Sequence, residues 1–313
     1  MRHGPRHASD ALQTAAQLIL GAVDLHMHTA PDIYPRSVTA VEAAEQAREA
    51  GMRAIVVKSH SVDTSARAEL ASALSGFPVF GGVSLNYPVG GLNQYAVLES
   101  ARQGGRVVWL PTTSARQFLQ YAENVPTLRE KSPLDLPGLV ASEGGELVPG
   151  VEGVLRQVAE HDLILCSGHL EPSDALTVFR RARELGVERL VVTHPHADFI
   201  GATVEQMQEF GELGAKNEMH YAFTTSAIDP PQDPAWIGRL IREVGLEHCF
   251  LATDGGQAVN PPPVEMLRLW LASLLECGFD EHELRPLVTD TPLGLLGEGT
   301  VAARVPSLAG STS

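Results

Sequence analysis

Eight short apolar runs recur along the chain, separated by segments with the pattern of amphipathic helices. Most of the runs are continuously apolar, as in Ala54–Lys58, which is typical of strands buried on both faces of a parallel sheet. Repeated strand and helix units of about 30 residues predict a (β/α)8 TIM barrel. A doubly wound open sheet is the alternative, but it often has a glycine-rich first turn, which residues 24–29 lack. The runs are 23–28, 54–58, 78–83, 106–110, 163–166, 190–193, 218–223 and 249–253.

Length and charge limit the kind of protein this can be. Residues 1–299 are predicted to form one barrel with an N-terminal helix, and the small-residue-rich segment 300–313 a flexible tail. The net charge of -15 argues against nucleic-acid and membrane partners, which need clustered positive charge. Three widely separated cysteines suggest a reducing, cytoplasmic environment. A small-molecule substrate is therefore the expected partner, and a homo-oligomer stays open.

One interval between runs is about twice as long as the others. Residues 112–150 follow the fourth run and contain turn clusters such as 135–138 and 143–146. The active sites of barrels lie at the C-terminal ends of the strands. The segment is therefore interpreted as a lid or substrate loop, with a surface excursion as the alternative.

Helix start signals support the alternation of strands and helices. Four side chains are predicted to cap helices, because their oxygens can accept hydrogen bonds from the first free backbone N–H groups. These are Asn93, Ser173, Thr203 (with Gln206 three residues later) and Asp233 before Pro234.

The ends of the runs carry the residues that can do chemistry. His26 and His28 are two apart on a predicted strand, so both imidazoles point to one face and can begin a metal site. Alone, a histidine or an aspartate at one of the later run ends has an ordinary structural explanation. Because strand ends converge in a barrel, together they indicate a shell of imidazoles and a carboxylate suited to zinc, iron or manganese. The later residues are Lys58 at the end of the second run and His60 just after it, His169 after the fifth, His194 after the sixth and Asp254 after the eighth.

This order resembles the amidohydrolase superfamily of metal-dependent (β/α)8 hydrolases. Its pattern is His-x-His after strand one, a histidine after each of strands five and six, and an aspartate after strand eight. The resemblance covers about residues 20–298, and residues 290–297 resemble the Asn-Pro-Ala-x-Leu-Leu-Gly closing segment. Residues 57–60, 80–83, 90–93 and 260–263 look like an uncharacterised branch of the superfamily. The resemblance implies a metal centre formed by His26, His28, His169, His194 and Asp254.

One difference from the superfamily pattern bears on the number of metal ions that the site would hold. Binuclear members carry a bridging lysine or glutamate at the end of strand four, and residues 109–113 contain neither. The simplest expectation is one divalent ion, zinc before iron or manganese, held by His26, His28, His169 and Asp254. His194 then serves as an acid/base or polarises the substrate. Three roles stay open for Lys58, namely replacing the missing bridge, binding a substrate anion, or forming a structural ion pair.

The expected chemistry is hydrolysis of a C–N or C–O bond by a metal-bound hydroxide. Asp254 would accept the proton of the water and return it to the leaving group. A small, anionic cyclic amide, lactone or ester is the expected substrate. A metal-dependent decarboxylase and a non-catalytic metal-binding barrel are the alternatives. The residues expected to contact the substrate are Tyr34, Arg36, His60, Asn86 and Arg116.

Overall fold

The computed structural model describes residues 7–125, 136–228 and 230–304. Eight parallel strands are present there, one for each predicted apolar run. The third is divided at Gly81 into two short pieces. The strands are β1 Val23–His28, β2 Ala54–Lys58, β3 Val79–Phe80 with Gly82–Ser84, β4 Val107–Trp109, β5 Ile164–Cys166, β6 Arg189–Val192, β7 Lys216–His220 and β8 Cys249–Ala252.

The strands follow one another around a barrel in chain order. β1 pairs with β2 and β2 with the first piece of β3, while the second piece of β3 begins an unbroken ladder that runs to β8. A bridge between Met27 and Gly255 joins the segment after β8 to β1. The predicted (β/α)8 barrel is confirmed, and all eight C-terminal strand ends meet at one mouth.

Helices lie between the strands, as predicted. Three of the four predicted caps are confirmed, because Asn93 and Asp233 accept backbone hydrogen bonds and Thr203 forms a capping box with Gln206. The Ser173 prediction is wrong. That helix begins at Pro172, whose fixed φ suits a first helical position, so Ser173 lies inside the first turn. The α-helices are Ala8–Leu18, Ala40–Glu49, Ser65–Ser75, Gln94–Arg102, Arg116–Ala122, Val151–Glu160, Pro172–Glu184, Val204–Glu212, Pro234–Val244, Pro263–Glu276, Glu281–Arg285, Thr291–Leu296 and Glu298–Arg304.

The long segment after β4 has secondary structure of its own. It contains the helix Arg116–Ala122 and a hairpin of Ser142–Glu143 with Glu146–Leu147. Backbone hydrogen bonds from Leu139 to Ser114 and from Arg116 to Leu139 tie its two described parts together. Residues 126–135 of the predicted lid lie outside the described residues. Its function as a lid stays a prediction.

The core is divided between the barrel interior and the layer under the helices. Small and branched side chains fill the interior, together with Phe80, Trp109 and Phe250. At the C-terminal end of the chain, the helix Glu298–Arg304 covers the first residues of the predicted tail. There Val301 is buried and Arg304 pairs with Glu69 at 2.8 Å. Residues 305–313 lie outside the described residues, and the division into one domain and a tail stays a prediction.

No helix among the described residues is both long enough and apolar enough to cross a membrane.

Candidate metal centre

A change of register in β1 directs the first two histidines into the barrel mouth. The pairing of β1 with β2 shifts between Asp24 and Met27, and such a bulge re-aims the side chains that follow it. Leu25 packs in the barrel interior, while the ring of His26, the next residue, lies 6.0 Å from the ring of Trp109. His28 follows on the same face, opposite Lys58 on β2.

His26, His28 and Asp254 form a first set of possible metal ligands. Asp254 Oδ1 lies 3.3 Å from His26 Nε2 and 3.1 Å from His28 Nε2. Both imidazoles are buried, and the aspartate side chain is 16 % exposed. The three ligand atoms lie within 4.8 Å of one another. The structure therefore brings these three predicted residues together, and their role as ligands stays a prediction.

Strand β7 supplies two further residues that sequence analysis missed, Glu218 and His220. Glu218 Oε2 lies 3.0 Å from His26 Nδ1 and 3.1 Å from His220 Nε2. His220 Nδ1 lies 3.7 Å from Asp254 Oδ2. A carboxylate on the outer nitrogen of a histidine fixes the ring so that its other nitrogen faces the metal. Glu218 can hold His26 in this way through a hydrogen bond, while it forms an ion pair with His220.

His194, His220 and Asp254 form a second set of possible ligands. His194 Nδ1 is buried without a hydrogen-bond partner among the described residues, which is unusual for a buried polar atom. His194 and Asp254 also have φ angles of 30° and 47°, in the left-handed region that side chains rarely adopt. Strain of this kind tends to occur at functional sites. The two sets share Asp254. Its Oδ1 contacts His28 of the first set, and its Oδ2 faces His220 of the second set.

The charges of these groups suit a divalent ion. Burial and the charge of Lys58 lower the pKa of His26 to about 4, and burial holds the pKa values of His28 and His194 well below the usual range. These rings are therefore neutral and can offer lone pairs. Burial alone would raise the pKa of Asp254, but His26 and His220 outweigh it and keep the carboxylate ionised.

His220 carries the positive charge that balances the two carboxylates. Burial alone would lower its pKa, but Glu218 and Asp254 outweigh burial and raise it to about 9. The pKa of Glu218 falls to about 2, because His220 and His26 outweigh its desolvation. Ligation by His220 would therefore require the loss of a proton.

Lys58 is buried at the first set. Its Nζ lies 3.0 Å from His26 Nε2 and 5.3 Å from the centre of the Trp109 ring. Burial lowers its pKa to about 8. The ammonium donates to the lone pair of His26 that would face an ion, so Lys58 and an ion would compete for this nitrogen.

Arg36 makes the corresponding contact with His28. Its Nη2 lies 3.2 Å from His28 Nδ1 and also pairs with Asp32 at 3.0 Å. A guanidinium only donates hydrogen bonds, so His28 accepts at Nδ1 and carries its proton on Nε2. Ligation through Nε2 therefore requires Arg36 to leave Nδ1. Tyr34 lies beside this group, with the Arg36 guanidinium carbon 5.6 Å from the centre of its ring.

Two further predicted residues, His169 and Arg116, lie outside both sets. His169 belongs to none of the ligand groups found among the described residues. Its ring lies 4.9 Å from that of His194 and 5.0 Å from that of Phe118, which belongs to the segment after β4. Arg116 is 47 % exposed and pairs with Glu143 at 3.6 Å. A substrate contact by Arg116 stays a prediction.

The barrel is similar in fold to solved structures. It resembles an amidohydrolase from Pseudomonas aeruginosa with a TM-score of 0.52 and 12 % identity, over 90 % of this chain and 98 % of the other. It resembles a TatD homologue from Escherichia coli K12 with a TM-score of 0.51 and 17 % identity, over 90 % and 99 % of the two chains. At these identities the likeness shows the fold alone. No curated protein matches the sequence.

A family model gives the more specific relationship. It matches residues 21–218, a span that includes every predicted site residue except Asp254. It also includes Glu218 but ends two residues before His220. The match covers more than half of the chain, and this protein therefore belongs to DUF6282, described as a family of unknown function.

Proposed function

We propose that this protein is a metal-dependent hydrolase of the amidohydrolase superfamily that cleaves a C–N or C–O bond of a small substrate. The observation that carries the proposal is one ionised carboxylate, Asp254, shared by two sets of buried imidazoles at the mouth of a (β/α)8 barrel. The TM-score of 0.52 with a protein described as an amidohydrolase supports the assignment at the level of the fold.

The residues fit a divalent ion. His26, His28 and Asp254 would hold one, zinc before iron or manganese, because neutral imidazoles with a carboxylate suit these metals. A second ion would take His194, His220 and Asp254, which gives His194 a ligand role as an alternative to acid/base catalysis. The two sets together contain His220 and lack His169, which is among the five residues that the resemblance implies. The metal content per chain distinguishes one ion from two.

A divalent ion in this position supplies Lewis acidity, polarising a carbonyl and lowering the pKa of a water. The chain supplies the proton transfer and the charge around it. Asp254 is ionised and can accept a proton from the attacking water and pass it to the leaving group. His194 is neutral and lies beside Asp254, where it can hydrogen-bond to the developing oxyanion.

The positive groups around the site favour an anionic substrate. Lys58 is buried, the side chain of Arg36 is 6 % exposed, and both lie within 3.2 Å of a ligand histidine. A displaced ammonium or guanidinium could pair with a carboxylate of the substrate. A small anionic cyclic amide, lactone or ester fits this combination.

The first experiment measures metal per chain in protein without an affinity tag. We expect at least one zinc, iron or manganese in the wild type, loss of it in His26→Ala, and retention in His282→Ala, which removes an exposed histidine. Carboxylated lactones, cyclic amides and esters are then screened for hydrolysis. Metal that is absent, or unchanged by His26→Ala, contradicts the proposal. Release of carbon dioxide without a hydrolysis product supports a decarboxylase instead.

A further inference from the structure

A buried chain of hydrogen bonds connects the ends of β2, β3 and β4 beside the proposed metal centre. It links Asn86, Thr112 and His60, and its meaning for catalysis rests on the proposed function. Asn86 Nδ2 donates to Thr112 Oγ1 at 2.6 Å and to the backbone oxygen of His60 at 2.9 Å. Thr112 Oγ1 lies 2.9 Å from His60 Nδ1.

The orientation of the Asn86 amide is fixed by the backbone. Its Oδ1 accepts from the N–H of Thr112 at 2.8 Å and from the N–H of Ser114 at 3.1 Å. A backbone N–H can only donate, so this atom is the oxygen and the other is the NH2 group. Both NH2 hydrogens are already used. Asn86 therefore has no donor left for a substrate, although sequence analysis predicted a substrate contact.

The hydroxyl of Thr112 links the Asn86 amide to the ring of His60, so the fixed orientation of that amide also decides which His60 nitrogen carries the proton. Asn86 and His60 are its hydrogen-bond partners among the described residues. Because Thr112 accepts from Asn86, its own hydrogen is free for His60 Nδ1, which then accepts. The opposite assignment would leave the hydroxyl hydrogen of a fully buried threonine without an acceptor, which is unfavourable because the group has lost its hydrogen bonds to water. His60 therefore carries its proton on Nε2.

The His60 ring lies beside the proposed ligand His28 and beside His169. It stacks on His28 with a centroid separation of 4.8 Å and meets His169 edge-on at 5.8 Å. The residue is only partly buried, and no described residue hydrogen-bonds to its Nε2. We propose that Asn86 and Thr112 lock His60 as the Nε2–H tautomer, so that His60 donates a hydrogen bond to an oxygen of the bound substrate. Asn86 and Thr112 are then positioning residues that act through His60.

The tautomer can be measured directly by nitrogen-15 NMR on protein labelled at histidine. The His60 signals are identified by their absence from His60→Gln. We expect the Nε2–H form in the wild type and in Thr112→Ser, which keeps the hydroxyl. In Thr112→Val, which keeps the shape and removes the hydroxyl, we expect a mixture of both tautomers. The Nδ1–H form in the wild type, or an unchanged tautomer in Thr112→Val, overturns the proposal.

Kinetics test the consequence for the substrate. With a carboxylated lactone, cyclic amide or ester that the wild type hydrolyses, we expect kcat/KM in Thr112→Val to fall in proportion to the lost Nε2–H fraction, about twofold for an equal mixture, and to recover in Thr112→Ser. An unchanged kcat/KM in Thr112→Val with a mixed tautomer contradicts the donor role. The NMR measurement needs neither metal nor turnover. If the proposed hydrolase function is wrong, no turnover will be measured. The NMR result for the His60 tautomer does not depend on that outcome.

Discussion

Lys58 has the contact that most directly opposes metal binding. Its ammonium donates to His26 Nε2 at 3.0 Å, and a positive charge at this distance repels a dication. We expect Lys58→Met to bind zinc at least tenfold more tightly, about 1.4 kcal/mol, in competition with a chromophoric chelator. Lys216→Met, which removes a lysine at the start of β7, is the matched control and should leave the affinity unchanged.

The same measurement distinguishes the roles left open for Lys58. A lysine that served as a bridging ligand would contribute to binding, so its loss would weaken affinity. Weaker zinc binding by Lys58→Met would therefore contradict the competition and support the bridge. A lysine that binds a substrate anion would leave the tighter zinc binding in place and raise KM instead.

Glu218 orients two of the proposed ligands at once. Its Oε2 lies 3.0 Å from His26 Nδ1 and 3.1 Å from His220 Nε2. Glu218→Gln keeps the size of the side chain but removes the negative charge that fixes both rings. We expect zinc affinity to fall about 10–100-fold, measured by the same competition. Glu212→Gln on an exposed helix position serves as the control, and equal affinities in the two variants would argue against this orienting role.

Among the elements, the turn after β8 is built around a close backbone contact. Gly256 has a φ of +112°, and a Cβ there would lie 1.9 Å from the backbone oxygen of His28. Gly256→Ala must therefore displace either β1 or the turn that carries Asp254. We expect a loss of unfolding free energy of more than about 1 kcal/mol, measured by urea denaturation, together with weaker zinc binding.

Gly76 provides a control that separates strain from collision. It also has a positive φ, +65°, but no atom lies within 4 Å of the position of a Cβ. Gly76→Ala should therefore be less destabilising and should leave zinc affinity unchanged. If both variants lost the same stability and neither lost zinc affinity, the contact of Gly256 with His28 would not support the site.

The strands could be predicted from sequence more accurately than their ends. Continuous apolar runs indicate buried parallel strands wherever they occur, and all eight are present. The seventh run was predicted as 218–223, but β7 ends at His220. The apolar residues Ala222 and Phe223 belong to a short 3-10 helix after the strand. The longer run therefore places His220 inside a strand and not at its end, although Glu218 and His220 have the same spacing as His26 and His28.

The contacts around the proposed ligands could not be predicted from sequence. Two carboxylates, Asp24 and Glu218, lie at strand positions that look like isolated polar interruptions of apolar runs. In the structure, Asp24 accepts hydrogen bonds from the N–H groups of His26 and Thr253, which ties β1 to β8. Such partners are far apart in sequence, and only the folded barrel brings them into contact. The same holds for the chain of hydrogen bonds from Asn86 to His60.

For the barrel as a unit, the proposed centre lies across the seam between the last strand and the first. The backbone joins there through His28 N to Gly255 O at 2.7 Å and Asp254 N to His26 O at 2.8 Å. His26 and His28 lie on one side of this seam and Asp254 on the other. An ion held by all three would therefore cross-link β1 to the segment after β8.

Metal binding should consequently stabilise the native barrel. At a free zinc concentration 100 times Kd, the gain is about 2.7 kcal/mol, which for a chain of this length raises Tm by roughly 4 °C. We expect a chelator to reverse the shift in the wild type, and His26→Ala to show no shift at all. Amide hydrogen exchange should slow upon zinc addition for β1 and for residues 253–256, and little for β4 on the far side of the barrel. A uniform change, or a shift retained in His26→Ala, would mean that zinc binds elsewhere, because an ion held by His26, His28 and Asp254 would add its cross-link to these two segments.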